Sequence, residues 1–340
     1  MKRIILLYNE DDGLVRGEAH DAIAARGVLE DVSQVEAACR ELGFDACPLP
    51  TPNEPRRILE ELDAAGPDLV FHLCEAVGGD ARFEAAVAWL LEMAKIPYTG
   101  SGPLALSIAL DKWVSKSILL AHGVPVPAGR LLITGGETLA GLRYPVIVKP
   151  SREDASHGLA LESVVPDEDS ARRRARYVIE RYEQPALVEE FIDGREFNVS
   201  ILGTGENATT LSLGEIDFSN FPEGAPKFVT YQAKWVEASP EYTGSASVAA
   251  RKINPATRRR IFDLALAAYR AVGVRDYGRI DIRFHPEIGP VVLEVNPNPC
   301  IAPDAGLALA ARRSGIPYRE LIARILEGAF SRTEPVPSAA

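Results

Sequence analysis

At 340 residues, with 46% hydrophobic and 25% charged side chains, the chain is long for one compact domain and too apolar for wholesale disorder, which leaves two or three packed units. Its formal charge of −11, from 37 basic and 48 acidic side chains, argues against nucleic acid and anionic membranes as partners, since no Lys/Arg-rich run offsets it. Lysine is scarce, 8 against 29 arginines, so the position of each lysine is informative.

Residues 2–8 read as a first strand, because Asn9-Glu10-Asp11-Asp12 cuts the apolar run too short for a signal peptide. No run approaches 18 apolar residues, so no membrane span and a cytoplasmic location are expected. Cys39, Cys47, Cys74 and Cys300 have neither C-x-x-C nor zinc spacing and read as reduced and inert. Strands at 44–49 and 68–74 alternate with helices at 31–42, 54–64 and 81–94, a pattern for a parallel sheet with helices on its faces. No G-x-G-x-x-G follows the first strand, so a dinucleotide reading has no support. The acidic stretch 9–30 is long for a connection and is expected to carry function or cover a site.

A helical stretch from Pro103 to Gly123 follows, then strands at 131–133, 144–149 and 159–164, a helix at 168–183 and a strand at 186–192. Two long strands, 195–203 and 208–218, precede an irregular segment to about 250. A helix at 256–272, strands at 278–285 and 290–295, and helices at 304–314 and 318–329 complete the pattern. The expected units are 1–104, 105–191 and 192–330, with 331–340 a loose tail.

The most informative segment is Gly278-Arg279-Ile280-Asp281-Ile282-Arg283-Phe284-His285, a four-residue turn at 286–289, then Pro290-Val291-Val292-Leu293-Glu294-Val295-Asn296. With His285 opposite Pro290, a hairpin sets Asp281 across from Glu294 and Arg279 across from Asn296, all on one face with Arg283. Opposed carboxylates repel unless a cation lies between them, and two carboxylates with an amide suit Mg²⁺ shared with nucleotide phosphates better than zinc. The bland alternative is a polar sheet face of Arg–Asp pairs.

Lys149 ends the apolar strand Tyr144-Pro145-Val146-Ile147-Val148, where an unpaired ammonium is costly, so it calls for an anion unless it snorkels to solvent. The small-residue loop 151–158 behind it can fold over phosphates. Glu189, Glu190 and Glu196 flank a strand–turn–strand. They read equally as contacts to an adenine amino group and a ribose, or as solvated acids.

Together the stretches 97–102, Asp111-Lys112, 146–158, 187–197, 228–235 and 278–299 resemble the ATP-grasp superfamily, and within it the D-alanine–D-alanine ligases. The resemblance covers the middle and C-terminal units well and the first unit loosely. It implies an α/β (α+β) fold in three units, a Rossmann-like N-terminal unit and two ATP-grasp units clasping ATP. By that resemblance Lys112 and Lys149 hold ATP phosphates and Lys234 reaches the transferred one. Glu189, Glu190, Phe191, Ile192 and Phe228 frame the adenine, with Glu196 on the ribose. Ser156, His157 and Gly158 sit in a mobile phosphate lid. Asp281, Glu294 and Asn296 hold two Mg²⁺ ions, which Mn²⁺ could replace, and Arg279 stabilises the reacting carboxylate. The implied activity is ATP-dependent amide formation from a small carboxylic acid and an amine or amino acid through an acyl phosphate. Family analogy also implies a homodimer.

The departures fall in the substrate pocket. The glutamate motif after the first strand is absent, the lid serine falls at Ala155, and its tyrosine partner at Trp235. The Ser-Leu pair that holds a second carboxylate falls at Ala305-Gly306 beside Asp304. Substrates other than two D-alanines are therefore expected, with Asn298, Cys300, Asp304 and Trp235 near them. The alternatives are dialanine ligation with relocated contacts, and nucleotide binding without turnover.

Overall fold

The computed structural model describes residues 1–9, 15–18 and 27–332, so most of the acidic 9–30 stretch and the 333–340 tail lie outside the described residues. β1 (Arg3–Asn9), α1 (Gly27–Glu41), β2 (Asp45–Thr51), α2 (Pro55–Ala65), β3 (Leu69–His72) and α3 (Glu84–Ala94) form a parallel sheet in the order β2-β1-β3 with helices on both faces. Along β1 alternate residues go to opposite faces. Ile4 and Leu6 join the cluster containing Val35 of α1, while Ile5 and Leu7 join Ile58 and Leu62 of α2 and Leu91 of α3.

The expected single helix from Pro103 is two, α4 (Pro103–Leu110) and α5 (Lys112–Ala121). Asp111 is extended between them and its carboxylate accepts from the Val114 backbone N–H, so it breaks one helix by capping the next. β4 (Gly129–Leu132), β5 (Val146–Pro150), β6 (Val164–Val165), α6 (Glu168–Tyr182) and β7 (Ala186–Glu190) form an antiparallel sheet ordered β4-β7-β5-β6, covered by α6. The strand expected at 159–164 shrinks to the two residues of β6, after a 3₁₀ turn at Leu161–Ser163.

A larger sheet holds β8 (Arg195–Leu202), β9 (Thr209–Thr210), β10 (Gly214–Asp217), β11 (Ala246–Ala249), β12 (Tyr277–His285) and β13 (Gly289–Asn296), in the order β11-β10-β8-β12-β13 with β9 on β8. The long strand expected at 208–218 is thus two short ones. The segment expected to be irregular contains α7 (Tyr231–Trp235) and α8 (Pro240–Thr243) as well as β11. α9 (Pro255–Val272), capped by Asn254 and ended by left-handed Gly273, buries Ile261, Ala265 and Tyr269 against this sheet. After α10 (Gly306–Arg313), α11 (Tyr318–Ser331) returns to the first sheet, where Leu321, Ile325 and Ala329 pack with Leu6 and Phe71. No helix among the described residues is long and apolar enough to cross a membrane.

Candidate active site

The β12–β13 pairing sets Asp281 against Glu294 and Arg279 against Asn296, the expected register. The turn differs: His285 faces Gly289, not Pro290, and an irregularity between Asp281 and Ile282 absorbs the offset with Leu293 as the extra residue. The functional end of the hairpin is therefore aligned although its turn is shorter than expected.

Between the two antiparallel sheets lies a cavity of about 450 Å³, with Ile147, Phe191, Phe228 and Leu293 among its apolar walls. Phe191 and Phe228 meet edge to face at 6.0 Å. Ile192, Glu189, Glu190 and Glu196 line the same cavity, as do Lys149, Ser156 and Lys234. Lys112 and Gly158 line neither this cavity nor the one described below.

Buried charges at one end are paired in chains. Glu189 lies between Lys149 at 2.6 Å and Lys116 at 2.8 Å. The Lys116 contact lacks hydrogen-bond geometry and is a purely ionic pairing. Burial opposes the Glu189 charge, yet the two lysines hold its carboxyl below the usual range, while burial lowers Lys116. Sequence reading missed Lys116. Its signal was the i,i+4 spacing from Lys112 along α5. Glu190 departs from expectation because its carboxylate accepts from Arg143 at 2.7 and 3.0 Å and is not free for a nucleotide. Glu196 pairs with Arg283 at 2.7 Å, a buried partner also absent from the expected site list.

At the hairpin, Arg279 grips Asp281 with two hydrogen bonds of 2.8 Å. Asn198 and Asn296 donate their side-chain amides to the same carboxylate at 2.6 and 3.0 Å. Glu294 takes Lys112 at 2.7 Å, and Lys112 also donates to the Glu153 carbonyl oxygen. Burial opposes the Glu294 charge, but Lys112 and Lys149 outweigh it and pull its carboxyl to about 2, so it is ionised at neutral pH. Among the described residues no cluster of three His, Cys, Asp or Glu side chains could cage a metal. Two opposed carboxylates and the Asn296 amide oxygen, beside a lysine-rich cavity, instead fit Mg²⁺. That ion keeps waters and shares its shell with phosphate oxygens.

The loop after β5 crosses the cavity mouth. Ala155, Ser156 and Gly158 have positive φ, and the Gly158 backbone sits where a Cβ would fall 2.6 Å from Pro150 Cγ. The loop is tied to α7: the Tyr231 N–H donates to the Leu159 carbonyl at 2.8 Å and the Trp235 indole donates to the Ala155 carbonyl at 2.9 Å. Lys234 stands 5.0 Å from the Trp235 ring, its pKa lowered by burial and by Arg279.

A second cavity of about 440 Å³ shares Lys234, Arg279 and Asn296 with the first. His157, Trp235, Asn298, Cys300 and Asp304 line it, joined by Glu75 and Glu84, which sequence reading did not single out. Asn298 accepts from the Tyr277 hydroxyl and donates to Glu84, each at 3.0 Å. Burial pushes the Cys300 thiol up to about 12, so it is protonated at neutral pH and poorly suited to act as a nucleophile.

The family model described as D-ala D-ala ligase C-terminus matches residues 135–327. Over 265 residues the chain is 38% identical to uncharacterized protein y4sG of Sinorhizobium fredii, covering 78% of this chain and 75% of that one. It is 36% identical to the D-alanine–D-alanine ligase of Delftia acidovorans over 278 residues, covering 80% and 79%. The fold matches the crystal structure of the Bacillus anthracis D-alanine–D-alanine ligase complexed with ATP, with a TM-score of 0.75, 22% identity and 98% of both chains covered.

Proposed function

We propose that this chain, which belongs to the D-alanine–D-alanine ligase family of ATP-grasp C–N ligases, joins a carboxylic acid to an amine at the expense of ATP, on substrates other than two D-alanines. The observation that carries the reading is the convergence of Lys112, Lys149, Lys234 and Arg279 on the opposed Asp281–Glu294 pair at the end of an apolar cavity. The three units 1–104, 105–191 and 192–330 would supply the substrate end, the lid and the metal end respectively.

In this reading the adenine lies between Phe191, Ile192 and Phe228, with Glu196 toward the ribose. Lys149 exchanges Glu189 for phosphate oxygens, and Lys112 contributes through Glu294. Asp281, Glu294 and Asn296 would hold Mg²⁺, which would supply positive charge against that of the phosphates. A carboxylate oxygen of the acid attacks the γ-phosphorus, the bond to the bridging oxygen breaks, and ADP leaves an acyl phosphate. The amine nitrogen then attacks the acyl carbon and the C–O bond to phosphate breaks. Starting from the ammonium, the products are an amide, inorganic phosphate and one proton. Arg279, already fixed by Asp281, is held ready for oxyanion charge, so its loss should cost about 10²–10³-fold in rate. Lys234 reaches the transferred phosphate, and Ser156 and His157 close over it.

The departures at Ala155, Trp235 and Ala305-Gly306 support substrates other than D-alanine. The relatives' names favour dialanine ligation as the second reading. Phosphate release from Mg·ATP, screened over paired acids and amines, separates the two. Release that needs an unlike acid and amine supports the proposal, and D-alanine alone turning over as fast as any pair overturns it. Nucleotide binding with no turnover on any pair would leave a binding protein only. Asp281→Asn should abolish turnover with the fold intact, and a fully active variant would remove the metal assignment.

A further inference from the structure

The second cavity is adjacent to the reacting groups but differs from the first in charge. Its cations are occupied or shared. Arg279 is gripped by Asp281, and Lys234 also lines the first cavity, where the phosphate-side role was proposed. Some of its acids are also engaged: Glu153 accepts from Gln184 at 2.7 Å, and Asp154 lies 3.6 Å from Lys112.

Three acids are not so engaged. Glu84 is only 7% exposed, one oxygen receives the Asn298 amide, and the other has no hydrogen-bond partner among the described residues. The Glu75 side chain is open to the cavity and has no hydrogen bond or ion pair among the described residues. Asp304, which lines both cavities, is likewise without a side-chain partner among them. A cavity of about 440 Å³ with a nine-tenths-buried, half-satisfied carboxylate on its wall is built for a donor group. Lys234 is the cavity cation without an ion pair among the described residues, and in the ligase reading it serves the transferred phosphate, which leaves no arginine or lysine to receive a carboxylate beyond the one that reacts.

We propose that the second cavity binds a cationic amine lacking a carboxylate, its ammonium held by Glu75 and Glu84, so that the acceptor is a simple amine or diamine and not an α-amino acid. The proposal rests on the ligase reading and narrows it. Chemically, an ammonium carries three donors and satisfies the free oxygens of both glutamates. The carboxylate of an α-amino acid would meet Asp304 beside Ala305 and Gly306, with like-charge repulsion and no compensating donor. Burial raises the Glu84 carboxyl well above the usual carboxylate range.

The test is calorimetric titration of the full chain, saturated with Mg²⁺ and a non-hydrolysable ATP analogue, with 1,4-diaminobutane and separately with D-alanine. The expected result is binding of the diamine at least tenfold tighter than D-alanine. Glu75→Gln should weaken it by roughly 30-fold or more, with Glu84→Gln acting in the same direction. Glu75→Lys should abolish diamine binding while nucleotide affinity stays unchanged, which certifies the fold of each variant. D-alanine binding as tightly as the diamine, no diamine binding to the nucleotide-loaded chain, or full diamine affinity in Glu75→Lys would overturn the proposal. Failure of the chain to bind the nucleotide analogue at all would instead overturn the ligase reading beneath it.

Discussion

His72 ends β3 with 3% exposure, its Nε2 has no partner, and its ring lies 6.2 Å from that of Tyr98. Burial pulls its pKa from 6.5 down to about 4, so the folded chain holds it neutral. Its histidine proton is then bound by the unfolded chain and not by the folded one between those values. Stability from this residue is complete above about pH 6.5 and is lost as pH falls toward 4, by roughly 3 kcal/mol in all. His72→Phe should flatten this acid limb relative to wild type in thermal melts from pH 7 to 4. Equal slopes in both proteins would show that His72 does not titrate across that window. The same residue-level logic explains what the sequence could not display. That Lys149 needs an anion follows from its apolar strand, but that Glu189 supplies it, shared with Lys116 from a distant helix, depends on how α5 packs beside β7. Glu75 and Glu84 lie in a stretch with no recognisable motif, and only folding brings them to one cavity with Asn298 and Asp304.

At the scale of the element, local patterns were legible where one period dominated and failed where side chains interrupted it. The Asp281–Glu294 register came out as expected although the turn is one residue shorter, because the bulge at Leu293 offsets the turn, and neither feature leaves a mark in the hydrophobic alternation. The helix break at Asp111 was missed because apolar spacing continues through it, while the capping hydrogen bond that causes the break is polar and local. The small residues of 151–158 suggested a loop able to fold over phosphates, and the lid role came from the family resemblance. The loop's ties to α7, with the Trp235 indole on the Ala155 carbonyl, were legible in neither. Ala155 and Trp235 thus meet through the Ala155 backbone. Gly158→Ala tests how tightly that loop is shaped. A Cβ there falls 2.6 Å from Pro150 Cγ at a φ of +74°, so we expect about 1–3 kcal/mol of lost stability. Weaker nucleotide binding should accompany it, measured by thermal melts with and without Mg·ATP. An alanine variant with wild-type melting and affinity would mean the loop relaxes at no cost.

At the scale of the whole molecule, an acidic chain keeps four of its 8 lysines, Lys112, Lys116, Lys149 and Lys234, for the cavity walls and their immediate carboxylates, so the basic field is local and held within the cavity. That arrangement depends on holding the first sheet, the large sheet and the C-terminal helix in fixed relation, and Asp276 is placed to do this. It is 2% exposed at a φ of +64° just before β12, and its carboxylate accepts from the Gly100 backbone N–H at 2.8 Å and from Arg332 beyond α11 at 2.9 Å. Arg332 in turn donates to the Tyr98 carbonyl at 2.7 Å. One carboxylate therefore joins the link after α3, the start of the β12–β13 hairpin and the residue that follows α11. Breaking a buried pair costs about 3–5 kcal/mol, and because Arg332 remains 27% exposed we expect roughly 2–4 kcal/mol for Asp276→Ala. Since the hairpin and the wall of the second cavity are both anchored through it, turnover should fall with stability, while Asp276→Asn, which keeps an acceptor for Gly100, should lose less of each. Urea unfolding paired with phosphate-release rates reads both quantities. An Asp276→Ala protein that loses stability yet keeps full activity would show that the junction holds the molecule together without setting the geometry of its site.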